Sequence, residues 1–481
     1  MRRPRQRTGG ASVVSAAAAG TPAAVDGRPA AAPALEPTAL PDAGRGGYRA
    51  VLRNRAFLLV WAAQVLSQTA QNVVNYALVV EVEQLTHSST NVGWVIVSFS
   101  LPALLLGPSA GVFVDRMRKR HVLLWTNLLR ALLMVGFLLL PRSLQTIYLV
   151  TFVASAVSQF FAPAEGAIIP LLVRRHELMP ATSLFNITFT GAQVAGFVAI
   201  GPTLYKLLGV RAAIIATVAM YALAAACIAL IPRVEQLRST WREALARALH
   251  LPAVWRDMLE ARRFLGGAPG VTLAIAHLAL ATGLLMTLAT LGPGFVARVL
   301  GLTAADAGYV LAPAGLGMLV TTVLLGHFAI QADRRRLAGI GLVAMAISLA
   351  ALAFVRPGFD AIVAGLAGRG PSVLDVWGAI VYLGAVCAIT FSLGVEFSLI
   401  TIPAQTVVSE ATEPSVRGRV FALLFMLTGT ASALPVLAIG ALADHVGIVT
   451  MLFVLAALVA LAGLASLRPV PGAAGGRSSS S

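Results

Sequence analysis

Long apolar runs, each bounded by charged or turn residues, recur along this chain. They predict helices near 57–82, 92–114, 122–140, 144–169, 184–208 and 212–231, then near 271–296, 307–330, 337–355, 376–402, 420–443 and 448–467. A helix of about 20 apolar residues spans the hydrocarbon layer of a bilayer. The runs form two sets of six, separated by Pro232 to Gly270. This pattern predicts an all-α integral membrane protein with twelve transmembrane helices in two pseudo-symmetric six-helix bundles and a binding site between them. The expected boundaries are a disordered tail over 1–54, one bundle over 55–231, a linker over 232–270, a second bundle over 271–468 and a disordered tail over 469–481. A weak echo between the halves agrees: Pro102-Ala103 precedes Asp115-Arg116, and Pro313-Ala314 precedes Asp333-Arg334.

Within the linker, Thr240-Trp-Arg-Glu243 has capping-box spacing, and Trp241, Leu245 and Leu249 then share one helical face. Pro252 interrupts, and Trp255, Met258 and Leu259 begin a second amphipathic turn. Basic amphipathic helices beside spans anchor in the lipid surface, which is preferred here over a helix offered to a calmodulin-type partner.

Charge orients the array. Of 36 cationic residues, 29 fall in the N-terminal tail and every second connection after it, including Arg116 to Arg120, Arg233 to Arg263, Arg334 to Arg336 and the C-terminal tail. The intervening connections hold only Arg142, Lys206, Arg211, Arg298, Arg356 and Arg369, and Arg130 lies inside a span. Cytoplasmic loops carry the excess of Lys and Arg, so both termini are expected in the cytoplasm of a cell-membrane protein.

Composition agrees with lipid as the solvent: 58% hydrophobic and 12% charged residues, against roughly 45–50% and about 25% for soluble domains. The net charge of +16 is dispersed along one membrane face without a nucleic-acid-binding module, so no nucleic-acid partner is expected. Cys227 and Cys387 both lie in apolar runs, which leaves neither a disulfide framework nor a zinc knuckle. The acid-free first 25 residues could also be read as a transit peptide, but they lack its amphipathic pattern.

The most informative local signal is Gly111-Val-Phe-Val-Asp115-Arg116-Met-Arg118-Lys119-Arg120. It resembles the loop signature of the major facilitator superfamily, matching five of six specified positions, with Arg118 where the pattern has a second Gly. The context is the expected one, between the second and third spans on the Arg-rich side. Phe161-Ala-Pro163-Ala, Ile169-Pro170-Leu-Leu-Val, Arg417-Gly418-Arg419-Val-Phe421 and Gly440-Ala-Leu-Ala-Asp444 are similar to the branch containing enterobactin exporters and macrolide efflux proteins. The resemblance covers residues 50 to 468. It implies a secondary transporter working by alternating access, and export as the direction. It further implies that Gly111, Asp115, Arg116, Arg118, Lys119 and Arg120 form a conformational latch, with Arg417 and Arg419 as its counterpart. The bland alternative makes these cations simple inside anchors. Three features of such exporters are missing: an Asp soon after Ser67-Gln68, an Arg in span 4, and the Gly pair after Gly201-Pro202.

Polar residues inside the spans mark candidate chemistry. Gln64, Gln68, Gln71 and Asn75 fall at i, i+4, i+7 and i+11, flanked by Ser67 and Asn72, so one face of span 1 is almost entirely amide. Amides facing hydrocarbon lose hydrogen bonds, so this face meets a wet cavity or glues helices together. Asn186, Thr190 and Gln193 repeat the periodicity in span 5. Intramembrane carboxyls are expected at functional positions: Glu165 and Glu396 are the proton-coupling candidates, and an ion pair of Glu165 with Arg130 is the structural alternative. Glu81 and Glu83 read as interfacial, and His277 as a hydrogen-bonded helix residue or a proton relay. The expected substrate contacts are Gln64, Gln68, Gln71, Asn75, Asn186, Gln193 and Glu396.

No Gly-x-x-x-x-Gly-Lys loop is present, and the seven His show no metal-ligand spacing. Neither an enzyme nor a metal or other cofactor is expected. The expected partners are the lipid bilayer, an amphipathic or hydrophobic small molecule, and protons if transport is coupled; a monomer is expected. Uptake or facilitated diffusion of a small solute, and a non-transporting receptor or scaffold, are the competing functions.

Overall fold

A computed structural model of the chain describes residues 47–232, 269–328, 333–366, 371–411 and 435–467. The described residues are helices joined by short connections. They comprise α1 (Gly47–Arg53), α2 (Arg55–Thr86), α3 (Ser89–Arg116), α4 (Lys119–Leu139), α5 (Leu144–Ser158), α6 (Phe161–Leu172), α7 (Leu178–Val194) and α8 (Gly201–Ala229) in the first half. The second half holds α9 (Pro269–Gly294), α10 (Ala307–Phe328), α11 (Arg334–Leu366), α12 (Pro371–Ala411), α13 (Pro435–Val446) and α14 (Ile448–Leu467). Side chains of the connections start these helices. Asn54 accepts from the amides of Ala56 and Phe57, Ser88 from Asn91 and Ser143 from Thr146, satisfying amides that a first turn leaves free. The α2–α3 connection needs only His87 and Ser88, because His87 takes the left-handed conformation (φ 47°) and closes back on the Glu83 carbonyl.

Nine described stretches are long and apolar enough to cross a membrane. One of them, Leu178–Ala229, reverses at Gly209, whose φ of 78° needs a residue without a Cβ, so it crosses twice. Arg55–Thr86 is long enough to cross but is diluted by its amides, and Pro435–Val446 is the described part of the span expected at 420–443. Together these correspond to the twelve expected crossings, the eleventh being described over its second half alone. The expected linker helices, Arg417 and Arg419 lie outside the described residues.

The expected fourth span, 144–169, is the single apolar stretch Leu144–Leu172, in which α5 and α6 meet at Gln159 and Phe160 with right-handed helical backbone, Pro163 in the first turn of α6 and Pro170 near its end. Proline cannot donate to the preceding turn, so the weakened ladder opens here. Short π-helical segments, Ala195–Ile200 and Phe295–Val299, extend α7 and α9.

Apolar packing follows the two halves. Two core clusters draw on first-half residues such as Val73, Ile214 and Ile168, and two on second-half residues such as Leu342, Leu349 and Val408. The exceptions are the buried Ala304, Ala305 and Val436, together with the partly buried Met286, Ala289 and Ala297, which pack into or against the first-half core. Small residues let helices touch backbone to backbone: a Cβ at Gly394 would collide with the Ala314 carbonyl, and one at Gly317 with that of Phe391. Large apolar side chains such as Trp125, Leu132, Leu223 and Leu461 point outward, as a lipid-facing surface requires.

Candidate functional site

The amide face of α2 divides its labour. Gln64 donates from Nε2 to the Phe185 carbonyl of α7 at 3.2 Å, and Trp61 donates to Thr188 at 2.8 Å, so this end of the stripe ties α2 to α7. Asn72 donates to the Gln68 carbonyl on its own helix. Gln71 donates to Asn75 Oδ1 at 3.0 Å, while its Oε1 accepts from Ser158 at 2.9 Å and Tyr221 at 3.1 Å. Gln68, Gln71 and Asn75 are half-buried; Asn186 and Gln193 are exposed on one face of α7 with Phe189 between them. A close approach joins the helices: a Cβ at Gly196 would lie 2.7 Å from Asn72 Cβ and 2.9 Å from the Thr69 carbonyl.

Gln71 leads to a charge that spacing did not nominate as a site residue. Arg130 on α4 is only 2% exposed. Its guanidinium donates to Ser67 (2.7 Å), Asn127 (2.9 Å), the Thr126 carbonyl (3.2 Å) and Ser158 (3.4 Å), and lies over the rings of Tyr221 and Phe161 at 4.6 and 4.9 Å. Neutral oxygens and aromatic faces thus surround a cation inside the bundle. The ion pair considered between Arg130 and Glu165 is not formed. Every described partner of Arg130 is neutral, and Glu165, 6% exposed on α6, has its Oε1 buried without a hydrogen-bond partner in the protein.

Glu396 on α12 sits in a different setting. Its Oε1 accepts from Ser348 on α11 at 2.7 Å and from Ser392 one turn earlier at 2.8 Å; Oε2 is buried without a partner in the protein. The two carboxyls therefore occupy separate halves, one beside a cation and one clamped by hydroxyls. His277 bonds Ser466 at 2.8 Å, joining α9 to α14. Glu81 is buried; it accepts from Tyr205 at 2.7 Å and faces Arg142 at 3.4 Å.

Of the latch residues, Gly111 has open space where a Cβ would stand, and the side chains of Asp115 and Arg116 are outside the description. Arg120 donates to the Ile228 and Ala229 carbonyls at the end of α8, an interaction inside the first half. Arg118 is the residue before α4 and buries its Nε.

Among the described residues, contacts that join the halves gather at the opposite end, around His87. Asp444 at the end of α13 accepts the amides of Ser89 and Thr90 at 2.8 and 2.9 Å and the hydroxyls of Ser88 and Thr90 at 2.7 and 2.6 Å. Arg298 donates to Ser89 Oγ at 2.6 Å and stands 3.3 Å from Glu83 and 3.5 Å from Asp444. Lys206 pairs with Asp306 at 2.5 Å, and Thr203 bonds Tyr309 at 3.0 Å. Tyr76 donates to the Ala305 carbonyl at 2.7 Å and accepts from the Gly308 amide at 3.2 Å. Burial pushes the Asp444 carboxyl up, but the bonds from Thr90, Ser88 and Ser89 outweigh it and hold it at about 2.

A sequence model of the Major Facilitator Superfamily matches residues 60–393. The chain belongs to that superfamily. The uncharacterized MFS-type transporter YfiS of Bacillus subtilis is 25% identical over 391 residues, 80% of this chain and 85% of YfiS. Macrolide efflux protein A of Streptococcus pyogenes is 28% identical over 128 residues, 25% of this chain and 31% of its own. Among solved structures, a D-xylose-proton symporter superposes with a TM-score of 0.63 at 14% identity, over 87% of this chain and 98% of the symporter, a likeness of fold. This superfamily member is therefore a multi-pass membrane protein of a transporter family, with the all-helical fold expected from its sequence.

Proposed function

We propose that this superfamily member is a secondary transporter that exports an amphipathic or hydrophobic small molecule by alternating access. The observation that carries the mechanism is the set of bonds around His87. Ion pairs and short hydrogen bonds joining the two bundles at one end suit a gate that closes and opens, whereas a permanent interface would favour apolar packing. With both termini cytoplasmic, as the cation distribution supports, this gate faces outward and is closed in the described conformation.

Substrate meets the half-buried and exposed amides Gln68, Gln71, Asn75, Asn186 and Gln193, with Phe189 offering apolar surface. Gln64 is the least available of the expected contacts, because its donor is used on α7. The direction of transport rests on the partial likeness to macrolide efflux protein A. Glu165 and Glu396 are the candidates for proton coupling, and Gly111 to Arg120 with Arg417 and Arg419 are the candidate cytoplasmic latch.

Flux of erythromycin, as a macrolide probe, and of a panel of amphipathic dyes through proteoliposomes tests this reading, with and without a pH gradient. Outward-directed movement dependent on the protein is expected. No movement of any solute would favour a receptor or scaffold, and equal inward accumulation would favour uptake.

A further inference from the structure

At the His87 end of the first half, a cleft of about 300 Å³, partly open to the surface, lies between the end of α4 and the part of α8 that follows the turn at Gly209. Phe137 and Leu138 of α4 and Val210 and Ile214 of α8 form its apolar walls. Its charged lining is a pair of exposed guanidiniums, Arg142 from the α4–α5 connection and Arg211 from α8. Apolar walls with a few converging charges suit a molecule that has one charged end and one apolar end.

The charge at this cleft is not spent inside the protein. Elsewhere at the same end, Lys206 pairs with Asp306, and Arg298 with Glu83 and Asp444. Arg211 has no acidic partner among the described residues, and Arg142 stands 3.4 Å from Glu81, a loose contact for an exposed side chain. Two cations against one carboxylate leave a single positive charge facing the cleft. A phosphate diester carries the single negative charge that balances it, and its oxygens match the guanidinium fork.

The surroundings select the molecule that brings this phosphate. Leu139 and Leu140, which continue from the cleft wall, are large and exposed, as on a surface that meets acyl chains. The membrane-crossing helix α4 ends at Leu139, so the two guanidiniums stand where a bilayer places its headgroups. A soluble phosphate would satisfy the guanidiniums and leave the apolar walls in water.

We infer that this cleft binds an anionic glycerophospholipid of the phosphatidylglycerol type, with Arg142 and Arg211 gripping its phosphate and an acyl chain lying along the Phe137, Leu138, Val210 and Ile214 wall. Every lining residue belongs to the first half, so the site travels with that bundle and its occupancy does not depend on transport.

The test uses delipidated full-length protein in a neutral detergent, titrated with phosphatidylglycerol or phosphatidylcholine of identical acyl chains and read by native mass spectrometry. The first phosphatidylglycerol should bind about fivefold more tightly than the first phosphatidylcholine, the factor expected of one unbalanced charge. Arg211→Gln and Arg142→Gln should each abolish that preference. Arg356→Gln, at an exposed cation paired with Asp360, should leave it unchanged. Leu138→Trp, which fills the cleft and keeps both charges, should weaken phosphatidylglycerol binding with the melting temperature unaltered. Glycerophosphoglycerol, the headgroup without its chains, should compete poorly. Equal binding of the two lipids, a preference undiminished in Arg211→Gln, the same loss in Arg356→Gln, or full competition by the headgroup alone overturns the proposal. None of these outcomes bears on transport, which proteoliposome flux tests separately.

Discussion

Asp444 on α13 caps the first turn of α3, accepting the Ser89 and Thr90 amides at 2.8 and 2.9 Å from the opposite half of the molecule. A helix start leaves amides without partners and carries partial positive charge, so a carboxylate is the complementary group. Because the cap comes from the other bundle, a bond that ordinarily stabilises one helix here joins the two halves, and in the proposed mechanism it holds the gate shut.

Removing that carboxylate should open the gate. A hydrogen bond to a charged group contributes about 1.5–3 kcal/mol; because Asp444 is exposed and its donors can turn to water, the net loss in Asp444→Ala is taken as that of one such bond, which lowers the closed-to-open ratio about 10- to 100-fold. Thr290, buried beside Gly93 at this interface, reports the change as Thr290→Cys: alkylation by an impermeant maleimide should accelerate accordingly. An unchanged rate would show that Asp444 does not hold the closure.

The same bond gives a pH expectation. The Asp444 carboxyl is lowered from an ordinary 3.8 to about 2 in the closed state. A depressed carboxyl contributes stability that is fully present above its unperturbed value and is lost as pH falls through the lower one. Its contribution to closure should therefore stay constant from pH 8 to about 5 and fade only below about pH 4. The ratio of maleimide labelling rates at position 290 between Asp444→Ala and its parent should therefore be flat across pH 5 to 8.

Tyr76 serves the gate through one oxygen that both donates to Ala305 and accepts from Gly308. Tyr76→Phe leaves that carbonyl and amide without their partner, at about 1–3 kcal/mol. Opening should rise roughly 5- to 100-fold while the melting temperature of each half changes little, because the lost bonds lie between halves.

Two glycines should respond in opposite ways. A Cβ at Gly308 would strike Pro202 across the gate, so Gly308→Ala should favour the open state without loss of folded protein. A Cβ at Gly394 would strike the Ala314 carbonyl inside the second bundle, so Gly394→Ala should lower thermal stability instead. Melting curves paired with position-290 labelling separate the two effects.

Periodicity made the membrane fold legible, because apolar runs and alternating cations reflect the lipid itself rather than any particular contact. The amide face of α2 was equally plain from i, i+4 and i+7 spacing. What spacing left open was its use: Gln64 turned out to bond α7, and Gln71 the Arg130 cluster. Arg130 stood out as a cation inside a span, but its partners come from α2, α4 and α5, and no local pattern brings those together. Asp444 was visible as the end of a family-like stretch, yet its partner Ser89 is 355 residues away. The junction of α5 and α6 within the fourth span had a signal in Phe161-Ala-Pro163, which a hydropathy reading alone averages away.

The central claim is that the two halves exchange closure between their ends. Spin-label distances measured in one preparation at both ends test it most directly: Leu140→Cys with Val446→Cys at the His87 end, and Leu171→Cys with Leu467→Cys at the Met117 end. The account predicts that conditions lengthening the first distance shorten the second, with Asp444→Ala driving both changes. A single fixed distance at each end, or two ends that open together, would contradict it.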